Sequence, residues 1–184
     1  MATIPDFDHN LVLPPHRGNP ILPTDLSPYP CSAVDLVERF ATSPERKVIL
    51  DGFLQFRIRL RSEGLRQGFQ WLDGSFLEDI ETREGRPPAD LDLVTIYWGY
   101  DMAFQTALAK RFPEFISPVQ SKATFRVDHY PFDASHDPAK TVEWSRYWAQ
   151  LFSHNRQGVW KGMLRIDLDT DSVDTLAAEK LKKS

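Results

Sequence analysis

The stretch Trp71-Leu72-Asp73-Gly74-Ser75-Phe76, followed after a charged segment by Pro87-Pro88-Ala89-Asp90-Leu91-Asp92-Leu93-Val94-Thr95-Ile96-Tyr97, decides the reading of this chain. Gly74-Ser75 follows an apolar run and precedes Phe76, which marks a sharp turn at the end of a strand over 69–73. Asp90 and Asp92 open a second strand, Leu91 to Tyr97. Residues i and i+2 of a strand share a face, so the two carboxylates project side by side while Leu91 and Leu93 face the core. Neighbouring carboxylates repel unless a cation lies between them. Hard divalent cations such as Mg²⁺ take oxygen ligands, usually one or two carboxylates plus substrate phosphates. The arrangement therefore points to half of a metal-dependent phosphoryl-transfer site, although Asp-x-Asp also occurs at solvated strand starts.

Working outward, Phe76 to Ile80 is predicted to begin a short helix whose N-terminus faces Ser75, where exposed amides and the helix dipole favour a phosphate. Glu81 to Pro88 reads as a polar surface loop. Tyr100 to Phe112 reads as an amphipathic helix ended by Pro113. Lys122 to Tyr130 alternates as a third strand carrying Asp128, which on its own reads as a capping or turn acid before Pro131.

Gly74-Ser75 with Asp90-Leu91-Asp92-Leu93-Val94 resembles the signature of the nucleotidyltransferase superfamily, which has the DNA polymerase beta-like fold. The segments around Ile4-Pro5-Asp6-Phe7, Leu13-Pro14-Pro15 and Lys161 to Ile166 resemble an uncharacterised bacterial branch of it, domain of unknown function family 6932. The resemblance implies an α+β fold: a nucleotidyltransferase-like mixed β-sheet flanked by helices. It implies that Gly74 and Ser75 hold nucleotide phosphate, and that Asp90, Asp92 and Asp128 are catalytic and bind Mg²⁺, with Mn²⁺ as the other metal to consider. It implies a nucleoside triphosphate substrate and transfer of its nucleoside monophosphate to an acceptor hydroxyl. A protein hydroxyl, an RNA end, a small molecule and a second nucleotide are all open as acceptors. The alternatives are an inactive binding module of the same fold, serving as an antitoxin or partner subunit of a bacterial defence or toxin-antitoxin system, and a metal-dependent hydrolase using the same carboxylates.

With 184 residues the chain suits one globular domain. Residues 1–32 form a Pro-rich arm, with Pro5, Pro14, Pro15, Pro20, Pro23, Pro28 and Pro30, whose Ile4, Phe7, Leu11, Leu13, Ile21 and Leu22 argue for packing on the domain. Residues 33–168 form the domain itself, and 169–184 a charged tail with a short terminal helix. Ser32 starts one helix, and Ser43-Pro44-Glu45 starts a second that runs to about Ser62 and stops at Gly64. Arg57, Arg59 and Arg61 on it are candidates for phosphate contact or for a solvated surface. Asp137-Pro138 caps a helix to about Phe152, whose Trp144, Tyr147, Trp148 and Phe152 form a core stripe or a base-stacking platform. Val159 to Leu168 is read as a last strand, with Lys161 either reaching a triphosphate or exposed.

The single cysteine, Cys31, excludes a disulfide framework and a zinc ribbon. Asp167, Asp169 and Asp171 open like a calcium loop, but Ser172 replaces the required glycine and Ala178 the closing glutamate. No P-loop, Gly-x-Ser-x-Gly or Gly-x-Gly-x-x-Gly motif is present. A net charge of −4 argues against a dedicated nucleic-acid binder. No apolar run approaches a membrane span and no signal peptide opens the chain, so the expected setting is cytoplasmic, away from membranes. Oligomeric state is not encoded in these patterns.

Overall fold

The computed structural model describes residues 4–135 and 137–184. Met1 to Thr3 of the predicted arm, and His136 in the turn before Pro138, lie outside them. The order is β1 (Tyr29–Pro30), α1 (Ala33–Phe40), α2 (Pro44–Ser62), β2 (Gly68–Asp73), α3 (Ile80–Glu84), β3 (Leu91–Tyr97), α4 (Met102–Arg111), α5 (Pro118–Phe125), β4 (Val127–Asp133), α6 (Pro138–Phe152), β5 (Leu164–Asp167) and α7 (Asp171–Leu181). Among the described residues this is an α+β protein with one mixed five-stranded sheet, in the order β1-β5-β2-β3-β4. β2 is antiparallel to both β3 and β5, whereas β3 pairs in parallel with β4 and β1 with β5. A parallel neighbour needs a crossover, and α4, a 3₁₀ turn at Pro113–Phe115 and α5 supply it between β3 and β4.

Local chemistry sets these bounds. The Ser43 side chain accepts from the Arg46 amide and Pro44 enters the first turn of α2. Asp137 accepts from the Ala139 and Lys140 amides at the start of α6. Gly52 of α2 lies so close to α5 that an added Cβ would fall 1.9 Å from the Phe125 carbonyl oxygen.

Five expectations change. The alternating segment Lys122 to Tyr130 is a strand only from Val127: Ser117 caps and Pro118 opens α5, and Arg126, at φ 57°, ends it before β4. The predicted helix over 76–80 is a 3₁₀ turn at Ser75–Leu77, and the predicted loop after it contains α3, capped by Asp79 and closed by Gly85 in the left-handed conformation. The predicted strand over 159–168 is reduced to Leu164–Asp167. The Arg57 side chain is buried rather than solvated or on a phosphate.

The strand period divides the sheet into two faces. Leu72, Leu91, Leu93, Tyr97, Val127, Leu164 and Ile166 pack in the larger core with α1, α2 and α7. Val94, Ile96 and Phe132 face the other way, against Trp148 and Phe152 of α6 and Met163. On the larger face Arg57 donates to Asp174 Oδ2 (2.9 Å), Gln70 Oε1 (2.6 Å), the Asp167 carbonyl (2.8 Å) and Thr170 Oγ1 (2.6 Å). These bonds pin α7, whose Asp174, Ala177 and Leu181 are buried. The N-terminal segment buries Ile4, Val12 and Leu13, while Ile21 is exposed. Among the described residues no helix is long and apolar enough to cross a membrane.

Candidate functional site

β2 ends at Asp73 and the chain turns at Gly74, whose φ of 86° disfavours any residue with a side chain. A Cβ there would also lie 2.5 Å from Asp92 Oδ2, so the Asp92 carboxylate rests directly on the turn. Register then aligns the acids. Asp73 pairs with Asp92 across β2 and β3, and Asp92 with Asp128 across β3 and β4. Side chains of directly paired residues project to one face, so the three form a row at one end of the smaller face. Asp90 stands two residues before Asp92 on the same edge.

This row collects like charge. Burial, then the charges of Asp90 and Asp128, push the Asp92 carboxyl up to about 6, against a weaker pull from Lys161 and Lys122. Lys122, from α5, places its ammonium 2.5 Å from Asp90 Oδ2 and 3.6 Å from Asp128 Oδ2. Its hydrogen bond to Asp90 raises its pKa. It is half exposed, on a flexible stem, and lies between the two carboxylates.

Beneath the turn lies a second, closed cluster. Lys161 Nζ reaches Asp73 Oδ1 (3.0 Å), Glu78 Oε1 (2.7 Å) and the Gly74 carbonyl (3.0 Å). Lys161 is therefore buried, in place of the exposed or triphosphate-facing lysine expected. Burial opposes its charge, but Asp73 and Glu78 outweigh that and hold its pKa raised. Burial pushes Asp73 up to about 7 against the pull of Lys161. Arg46 donates to the Phe76 (2.7 Å) and Glu78 (2.6 Å) carbonyls, fixing the rest of the turn from below. Ser75, half buried, has its hydroxyl in no hydrogen bond among the described residues.

Gly74, Asp92 and Asp128 are thus adjacent, Ser75 follows the turn, and Asp90 joins Asp128 through Lys122. Among the described residues no group of three or more His, Cys, Asp or Glu side chains could hold a metal ion as it stands. The donors at the row are all carboxylate oxygens, with Asp92 raised by burial and then by its acidic neighbours, and oxygen donors of this kind fit a hard divalent cation. Asp73, Lys122 and Glu78 were not singled out from sequence. Asp73 was within reach, because Phe69, Trp71 and Asp73 alternate onto one face.

The model of a family of unknown function (DUF6932) matches residues 5–167. No curated protein and no solved structure matches the chain.

Proposed function

The chain belongs to the DUF6932 family, and from its site we propose that it is a Mg²⁺-dependent nucleotidyltransferase of the DNA polymerase beta-like fold. The observation that carries the reading is the in-register row in which Asp92 sits on the Gly74 turn and beside Asp128. Asp90, Asp92 and Asp128 would hold the divalent cation, Mg²⁺ or Mn²⁺. When bound, it neutralises phosphate charge and lowers the pKa of an attacking hydroxyl.

The chain's own residues do the rest. Ser75 and the turn it opens bind the β- and γ-phosphates, with Gly74 leaving room for their approach. Asp92 faces the α-phosphate. Asp128 accepts the proton of the acceptor hydroxyl. The acceptor oxygen bonds to the α-phosphorus as the bond to the pyrophosphate oxygen breaks, and pyrophosphate leaves on the Ser75 side. Positioning and charge neutralisation supply most of the rate in such transfers.

The Lys122 ammonium between Asp90 and Asp128 favours a second reading, an inactive partner-binding module in which lysine replaces the metal. Incubation with each α-labelled nucleoside triphosphate and Mg²⁺ or Mn²⁺ separates the two. Label transfer that needs the divalent cation and vanishes in Asp92→Ala supports the transferase. Absence of transfer and of a nucleotide-induced thermal shift supports the module. Nucleotide consumed without a labelled acceptor indicates a hydrolase.

A further inference from the structure

Beyond Asp128 the smaller face opens into a cleft of about 520 Å³ between β4, α4 and α6. Its walls are Tyr130 and Phe132 of β4 and Trp144, Tyr147 and Trp148 of α6, with Lys140 at the rim. The rings brace one another. Tyr130 and Trp148 lie 5.1 Å apart, Tyr147 meets Trp148 edge-on at 5.0 Å, and Trp144 meets Tyr147 edge-on at 5.4 Å. Yet Trp144 is 47% exposed, Tyr147 44% and Tyr130 37%, so large aromatic surface is held rigid and left uncovered. The volume falls within the range of small-molecule sites, roughly 300–1,000 Å³.

The cleft neighbours the carboxylate row along β4. Tyr130 follows Asp128 by two residues on the same face of β4. In-line displacement fixes which reactant comes from this side. In the transferase reading the pyrophosphate would leave at Gly74-Ser75, at the end of β2, so the attacking oxygen would enter opposite it, across β3 and over β4.

We propose that the acceptor is a nucleotide whose base stacks in the Tyr130–Trp144–Tyr147 cleft and whose ribose hydroxyl points to Asp128. This rests on the transferase reading above and narrows its acceptor. Stacking suits every base, because each has a π-face. A phenol acceptor fits less well. Its one polar atom is the attacking oxygen, which would leave Lys140, the exposed cation lining the cleft, facing apolar ring. A nucleotide is polar at both ends.

The test titrates the full chain, without triphosphate or metal, with the four nucleoside monophosphates and with a short single-stranded oligoribonucleotide, and reads tryptophan fluorescence. Saturable quenching is expected, weakened about tenfold in Trp144→Ala and in Tyr147→Ala, in line with the loss of one stacked ring. Both side chains are nearly half exposed, and an unchanged melting temperature confirms folding. Preference for the monophosphate identifies a free nucleotide, and preference for the oligomer an RNA end; either supports the inference. In the transfer assay the same variants should raise the acceptor KM and leave the donor KM alone. No quenching by either probe, equal binding by the variants, a shift in the donor KM alone, or label found only on protein would overturn it. Absence of any label transfer by the wild-type chain would instead overturn the transferase reading, and the binding arm would not depend on it.

Discussion

On the face of the sheet covered by α1, α2 and α7, Arg57 meets a carboxylate, an amide, a hydroxyl and a carbonyl, each through an oxygen that accepts from it. On the opposite face Asp90, Asp92 and Asp128 answer one another with like charge, relieved by a half-exposed lysine on a flexible stem. The contrast reaches down to consecutive residues of β4. Asp128 joins the row, while His129 is buried between Phe56 and Phe115, its Nε2 2.8 Å from Thr95 Oγ1. A buried charge that is fully paired serves the fold. A row of acids at a sheet end, left under-neutralised, is poised for a cation from outside.

The comparison breaks most sharply at Asp92. Asp92→Ala should lower transfer roughly 10³-fold, the several kcal/mol that a held metal charge supplies. Its melting temperature at neutral pH should stay level or rise, because a repelled carboxylate is removed. A calorimetric scan beside the labelling assay checks both. Asp174→Ala is the converse. Leaving Arg57 without its partner should cost about 3–5 kcal/mol in denaturant unfolding, and catalysis by the fraction still folded should stay intact. Gly74→Ala joins the two regions. Its Cβ would displace the Asp92 carboxylate, and a misplacement of that order should cost about 10² in rate.

Smaller effects sharpen the contrast. Burial lowers the His129 pKa to about 3, so the native state binds its proton less readily than the unfolded chain does. The stability owed to neutral His129 is complete above pH 6.5 and is lost as pH falls from there toward about 3, at up to about 1.4 kcal/mol per pH unit. His129→Gln should flatten that slope in urea titrations at pH 4 to 6. Lys122→Met removes a cation that competes with metal. A half-exposed pair is worth roughly 0.2–1 kcal/mol, so Mg²⁺ should bind the variant up to about fivefold more tightly by thermal shift.

Much of this was legible where the signal is local. Ser43-Pro44 and Asp137-Pro138 mark the starts of α2 and α6 through capping chemistry alone. The Asp90-x-Asp92 spacing places the pair at the start of β3. What stayed hidden depends on partners far along the chain. Arg57 is buried because Asp174, 117 residues away, meets it, and Lys161 because Glu78, 83 residues earlier, does. No window over either basic residue contains its counter-charge. The segment Lys122 to Phe125 misled for a different reason. Its alternation suits a strand, but Ser117-Pro118 starts a helix that supersedes it and delivers Lys122 to the acids.

In the proposed function the acids at this sheet end collect a divalent cation together with a triphosphate on the Gly74-Ser75 turn. Isothermal titration of Mg²⁺ with a non-hydrolysable nucleoside triphosphate, into the wild-type chain and Asp92→Asn, tests it most directly. The account predicts saturable binding that needs both components and disappears in the variant. Equal binding by the two proteins, or none by the wild type, would contradict it.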